Sequence, residues 1–340
     1  MSGPAKTTLG SLSVRRVVTG LWQMADQERD GKAFDLDAAA EALADYARDG
    51  FDSFDMADHY GSAEIVAGKA HKLLREAGET PPTILTKWCP PPGEMSLDDV
   101  RAGVETALRR LDLPRVDCMQ FHWWQYQSPE YLDALAGLMR LREEGLIGEI
   151  GLTNFDADHL RLALKQGIEV ASNQVCFSLL DRRAAGRLSQ VALDHDVKLL
   201  AFGTLCGGFL SDRWVGTDEP DQIADWSRMK YKRFIDAGGG WAPFQNLMSV
   251  LKDVAQKHDA SVANVATRWV LDHPAVASVI VGARLGENQH REDNARLDRL
   301  TLETDDQAAI NAATDALAMI PGDCGDEYRK PPFLTASGDL

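Results

Sequence analysis

Short runs of consecutive apolar residues alternate along the chain with amphipathic stretches, most of which end at a glycine. Residues 17–22 form the first buried run. In residues 37–49 the apolar side chains Ala39, Ala40, Leu43, Ala44, Tyr46 and Ala47 fall on one helix face, and Gly50 supplies the stop. The same unit recurs, predicting strands over 51–57, 83–88, 115–122, 147–154, 171–177, 197–203 and 278–282. Helices are predicted over 63–77, 96–111, 129–144, 156–166, 183–195, 247–258, 261–272 and 288–297, with an extra one over 303–317. A hairpin over 8–14, turning at Gly10-Ser11, precedes them all.

Strands that are continuously apolar and separated by helices indicate a parallel sheet covered on its faces. Eight units is the number that closes a (β/α)₈, or TIM, barrel. A doubly wound sheet is the rival, but its Gly-x-Gly-x-x-Gly turn follows none of the strands. The expectation is one barrel domain over residues 1–340, with the N-terminal hairpin, a long loop over 204–246 after the seventh strand, the extra C-terminal helix and a tail over 318–340. The tail has no periodicity, and it either wraps the barrel and shapes the pocket or is a loose end.

Charge narrows the partners. A net charge of -16 argues against nucleic acid or an anionic membrane, both of which require a basic face. The first eight residues have no apolar signal core, and no run of about 18 uncharged apolar residues occurs anywhere, so the expectation is a soluble, cytoplasmic protein. Five cysteines without metal-type spacing read as small buried thiols in a reducing compartment. Oligomeric state is not legible.

Active sites of such barrels lie where the strands end. Phe54-Asp55-Met56-Ala57-Asp58-His59-Tyr60-Gly61 places a carboxylate and a phenol at the end of the second strand, Lys87 closes the third and His122 the fourth. A phenol titrates near ~10 and is a poor acid at neutral pH unless a cation lies beside it. Lys87 is that cation, Asp55 offsets the cost of burying it, and His122 would orient a carbonyl. Together these four residues predict a site that protonates an alkoxide as it forms, which is carbonyl reduction with a hydride donor and no metal. Trp22, Trp88 and Trp123 stand at or just past strand ends, where they either form an aromatic wall for the substrate or seal the barrel mouth. For Trp124, Trp226 and Trp241, pocket and packing positions both remain open. His59 and Asp58 read as rim residues without a role in the chemistry.

At these positions the chain resembles the aldo-keto reductase family, whose hallmark looks like the stretch 54–61 together with Thr86-Lys87 and Gln120-Phe121-His122. The resemblance runs to about residue 300. It implies reduction of a small-molecule aldehyde or ketone by NADPH (oxidised to NADP+), with Asp55, Tyr60, Lys87 and His122 as the catalytic four. It further implies that Asn154 and Gln174 hold the nicotinamide carboxamide, and that Phe202, with Gly203 beside it, stacks on the nicotinamide where the family often has Tyr. Gly282-Ala283-Arg284 resembles the phosphate-binding turn, with Arg284 on the 2'-phosphate. The stretch after Arg284 is longer than the family spacing, which leaves Gln289 and Asn294 as its adenine-side residues and Arg291 as a second candidate cation. A cofactor-sensing protein of the same fold with slow turnover is the alternative. A metal-dependent barrel hydrolase lacks the His-x-His that it would need near the first strand.

Overall fold

The computed structural model describes residues 3–29, 34–223, 226–285 and 290–329. Strands β1 (Lys6–Leu9) and β2 (Leu12–Arg15) form the expected antiparallel hairpin. Its turn uses Gly10 at φ 58°, a left-handed conformation that glycine adopts without steric cost. Leu9 and Val14 are fully buried and cluster with Leu85, Cys118, Ala171, Leu200 and Ala277, so the hairpin seals the end of the barrel opposite the strand termini that carry the chemistry.

Eight parallel strands then close on themselves: β3 (Val17–Gly20), β4 (Ser53–Asp55), β5 (Thr83–Trp88), β6 (Val116–His122), β7 (Ile147–Thr153), β8 (Ser172–Cys176), β9 (Lys198–Phe202) and β10 (Val276–Gly282). Each pairs with its neighbour in sequence, and β10 returns to β3. Local signals set the helix starts. Asp35 caps Leu36–Arg48, Ser96 and Asp99 form a reciprocal capping box on Leu97–Leu111, and Asp156 caps Ala157–Lys165. No described helix is long and apolar enough to cross a membrane.

The structure departs from expectation mainly on the functional face. Trp22–Arg29 is helical directly after β3, where no helix was expected. The stretch 204–246 is not a bare loop: it holds single turns at Cys206–Gly208 and Asp212–Trp214 and the helix Trp226–Ala237. The next helix begins at Trp241 rather than 247, because Gly240 at φ 93° ends the glycine run and Pro243 fits in a first turn, where its missing N–H costs nothing. The predicted helix 183–195 is split at Gly186. Only Arg291–Ala295 and a single turn at Arg296–Asp298 represent the predicted helix 288–297, whose first two positions lie outside the described residues.

The tail is docked rather than loose. Its short helix Asp326–Arg329 is held by Arg183, whose guanidinium contacts Asp181 Oδ2 at 2.6 Å and Glu327 Oε2 at 2.8 Å and donates to the carbonyl of Asp323 at 2.8 Å. These charged side chains are almost fully buried, and one planar cation meets both carboxylates, bidentate on Asp181 and through one oxygen of Glu327. Among the described residues, Cys176, Asp181 and Glu327 are the one group close enough to share an ion, and Arg183 already bridges its two carboxylates.

Close helix packing generates a test of the barrel's outer layer. A Cβ on Gly68, in the helix Ala63–Glu76, would lie 2.2 Å from the carbonyl oxygen of Leu111. Gly68→Ala would gain about 1 kcal/mol of helix propensity but incur roughly 1–3 kcal/mol of overpacking against rigid backbone. The expected outcome is a lower Tm in thermal unfolding. A raised Tm would show that the two helices separate freely.

Candidate active site

At the ends of β4, β5 and β6 the pleat turns Asp55, Lys87 and His122 toward the barrel axis. The ammonium of Lys87 is 2% exposed and donates to Asp55 Oδ2 at 2.6 Å and to the Met56 carbonyl at 3.1 Å. The same ammonium lies 4.9 Å from the centroid of the Tyr60 ring. The other oxygen of Asp55 accepts from Gln120 Nε2 at 2.9 Å and from Gln174 Nε2 at 2.7 Å, and Gln174 also donates to Gln120 Oε1 at 2.7 Å. A buried ion pair is stable only when its remaining lone pairs are satisfied, and here two amides satisfy them. Gln120 was not singled out from the sequence, although it stands two positions before His122 on one strand and so shares its inward face.

His122 is buried against Trp124, ring centroids 4.3 Å apart and stacked, with Asn154 Nδ2 3.3 Å from its Nε2. Burial holds its pKa well below the ordinary histidine value, and the nearby positive groups His59, Arg329, Lys87 and Lys230 push in the same direction. The ring is therefore neutral at working pH. Asn154 takes a left-handed conformation at φ 58°, which asparagine tolerates, and its carbonyl accepts from Arg329 of the tail at 2.8 Å. Asn154 Oδ1 and Thr153 Oγ1 are buried without a hydrogen-bond partner among the described residues. Asp58 and His59 form a pair, Nδ1 to Oδ1 at 2.8 Å, with the His59 ring edge-on to Tyr60.

These groups border a cavity of about 630 Å³ that runs from Trp22, Tyr60 and His122 past Asn154, Gln174, Phe202 and Gly203 to Gly282, Arg284 and Asn294. Trp22 packs edge-on to Tyr60, centroids 4.9 Å apart. Trp88 and Trp123 do not line the cavity, against expectation. Because Lys87 points inward, the next residue of the strand points outward, and Trp88 packs on Phe121 and Gly103. Trp123 follows inward-pointing His122 and stacks on Phe121 with its indole N–H on the carbonyls of Gln125 and Ser128. Ala283 is buried and contributes its N–H to the Gly20 carbonyl at 3.0 Å. Arg291 turns away to Asp49 at 2.6 Å and to the ring of Tyr46. Gln289 lies outside the described residues, as does the side chain of Trp226, and Trp241 packs among Phe209, Trp214 and Phe244.

A sequence model of the aldo/keto reductase family matches residues 16–315, a span that contains the whole of this rim. The chain belongs to the aldo/keto reductase family. It is thereby an NAD(P)H-linked oxidoreductase acting on carbonyl groups. The reductase is 25% identical over 342 residues to the NADH-specific methylglyoxal reductase of Escherichia coli, covering 92% of this chain and 99% of that one. It is 25% identical over 326 residues to human aflatoxin B1 aldehyde reductase member 2, covering 88% and 87%. Flagellar radial spoke protein 5 of Chlamydomonas reinhardtii is 32% identical over 177 residues, which is 46% of this chain and 33% of that protein. Among solved structures, the aldo/keto reductase of Klebsiella pneumoniae in complex with NADP and acetate superposes with a TM-score of 0.69 at 21% identity, covering 92% of this chain and 98% of that one. The glycerol dehydrogenase of Gluconobacter oxydans gives 0.75 at 21% identity, covering 94% and 97%. Both likenesses show the shared barrel.

The buried imidazole sets a pH dependence of the reductase's stability. An unfolded chain protonates each histidine near pH ~6.5, whereas His122 in the native site resists protonation, so below that pH the unfolded state binds more protons and stability falls. Each resisted proton contributes a slope of about 1.4 kcal/mol per pH unit. His71 and His273, also lowered by burial, add to the same slope. The expected outcome is a Tm that drops as pH falls from 6.5 toward 5, with a shallower drop in His122→Gln. An equal drop in the two proteins would show that His122 protonates in place.

Proposed function

We propose that the protein reduces aldehydes or ketones with NADPH, Tyr60 acting as the general acid. The observation that carries this reading is the Tyr60 ring lying 4.9 Å from an ammonium that is itself locked onto Asp55 at the end of a deep cavity. A phenol that gives up its proton becomes an anion, and the fixed charge of Lys87 stabilises that anion without reorganisation at the moment of transfer. Asp55 keeps the ammonium where it is needed and offsets its burial. Neutral His122 offers one ring N–H to the carbonyl oxygen and so fixes its approach to Tyr60. As hydride reaches the carbonyl carbon, the oxygen takes the Tyr60 proton, and the product is an alcohol.

The cofactor supplies the hydride when it is bound, and the residues present fit it. A carboxamide NH₂ needs acceptors, and Asn154 Oδ1 is a buried acceptor with no donor among the described residues. Gln174, its nitrogen spent on Asp55 and Gln120, would present its oxygen to the same group. Phe202 would stack on the nicotinamide, with no hydroxyl to add. Gly203, at φ 71° and with no room for a Cβ beside Tyr231, would let the backbone approach closely. At the far end Arg284, oriented by Gln23 Oε1 at 3.0 Å, would pair with a 2'-phosphate, with Gly282 and Ala283 forming the turn and Asn294 near the adenine. The relatives divide on this point: the E. coli reductase is NADH-specific, whereas the K. pneumoniae protein was solved with NADP.

Two measurements test the reading. Tyr60→Phe is expected to lower kcat for a reducible aldehyde by roughly 10²- to 10⁴-fold, the usual contribution of a general acid, while the Kd for NADPH, read from tryptophan quenching, changes little. Near-normal turnover in that variant would remove Tyr60 from the chemistry. Arg284→Gln is expected to cut the NADPH-over-NADH preference by about tenfold or more, the loss of a charge-assisted phosphate contact. An unchanged preference would place the 2'-phosphate elsewhere.

A further inference from the structure

Arg213, Arg228 and Lys230 of the cavity lining are left over by the proposed chemistry, and of these only Lys230 is buried. Lys230, on the helix Trp226–Ala237, is 6% exposed and lines the same cavity as Tyr60 and His122. Its ammonium donates to the hydroxyl of Tyr328 and is caged by aromatic faces: Tyr328 at 4.2 Å, Phe202 at 5.3 Å and Tyr231 at 5.5 Å from the ring centroids. Among the described residues no carboxylate pairs with it. The contrast with Lys87 is direct, since that buried ammonium is met by Asp55 at 2.6 Å. Acidic residues outnumber basic ones in this chain by 52 to 36, yet among the described residues none has been placed against this buried charge. Ring faces and one hydroxyl hold an ammonium in position but leave donors of its three N–H bonds uncommitted.

The position of Lys230 says what those donors face. The ring of Tyr328 is near both groups, its centroid 4.2 Å from the Lys230 ammonium and 6.2 Å from the centroid of His122. An oxygen bound at His122 and an anion bound at Lys230 would thus both lie near the Tyr328 ring, in one cavity. Arg284, assigned to the adenosine side, stands after β10, away from the tail and β6. Building on the carbonyl-reductase reading, we propose that Lys230 is a specificity-determining residue that binds a carboxylate carried by the substrate, so that the preferred substrates are aldehydes or ketones bearing an acid group several bonds from the carbonyl. Tyr328 orients the ammonium toward that group, and the tail that carries Tyr328 is fixed by the Glu327–Arg183 contact.

The test compares 4-carboxybenzaldehyde with its neutral isostere 4-formylbenzamide in the NADPH-loaded full-length enzyme. Wild type is expected to favour the acid by at least about tenfold in kcat/KM, mainly through KM, as a charge-assisted contact to a buried cation requires. Lys230→Met is expected to bring that ratio to about one, and Lys230→Arg to keep most of it. A ratio near one in wild type, or a Lys230→Met variant in which both substrates slow together with the ratio intact, would overturn the proposal. So would a Kd for NADPH raised about tenfold or more in Lys230→Met, which would assign the cation to the cofactor. If wild type turned over neither aldehyde, the reductase reading would fail for such substrates, and dead-end binding to the NADPH complex would decide the anion site separately. There 4-(hydroxymethyl)benzoate is expected to bind about tenfold tighter than 4-(hydroxymethyl)benzamide in wild type and equally in Lys230→Met. Equal binding in wild type would overturn the site.

Discussion

The contact between Asp55 and Lys87 is the constraint on which the rest of the rim depends. Two opposite charges lie almost without solvent at the mouth of the barrel, 2.6 Å apart. Such a pair is stable only if every other lone pair and proton near it is matched. That requirement recruits Gln120 from β6 and Gln174 from β8, so one carboxylate ties together side chains from four strands. The amide proposed to meet the cofactor is thus also a structural partner of the Asp55–Lys87 pair. Only its oxygen remains for a ligand.

A second buried charge network acts at a distance. Arg183, Asp181 and Glu327 fix the tail helix against the start of the segment after β8, and the two residues following Glu327 both reach the site. Tyr328 meets His122, Trp124 and Lys230, while Arg329 bonds the carbonyls of Trp123 and Asn154 and the hydroxyl of Tyr126. The left-handed Asn154 is held from both sides by this arrangement. Its N–H bonds Gln174 in the barrel, and its carbonyl bonds the tail. Residues of the cavity lining therefore share one scaffold that neither the barrel nor the tail would provide alone.

Buried polar groups in this protein fall into two kinds. The thiols of Cys118, Cys176, Cys206 and Cys324 are pushed up by burial and behave as small apolar side chains. Glu64 is also raised by burial but is met by Thr86 and Arg110, which brace the strand next to Lys87. The lining of the cavity holds an unmatched amide oxygen, an unmatched hydroxyl and an ammonium among rings. Groups left unmatched at a cavity wall are where a ligand completes the hydrogen bonding.

The sequence by itself determined the barrel and the convergence of Asp55, Tyr60, Lys87 and His122 on one rim, because both rest on local pattern. Continuous apolar runs of strand length, glycine stops and helix caps are written in neighbouring residues, and strand-end positions convert directly into a shared rim. What lay beyond it was set by directions and distances that sequence does not carry. The two-residue period, applied from Lys87 and His122, already turns Trp88 and Trp123 away from the cavity, but the choice of which residue faces in is made by the closed barrel. Trp22–Arg29, Trp226–Ala237 and the tail helix have weak or no periodic signal, since each is stabilised by what it packs against rather than by its own amphipathic face. For that reason Lys230, Tyr328 and Arg329 became legible only in three dimensions, where chain segments far apart in sequence bring a carboxylate, an imidazole and an ammonium to one cavity.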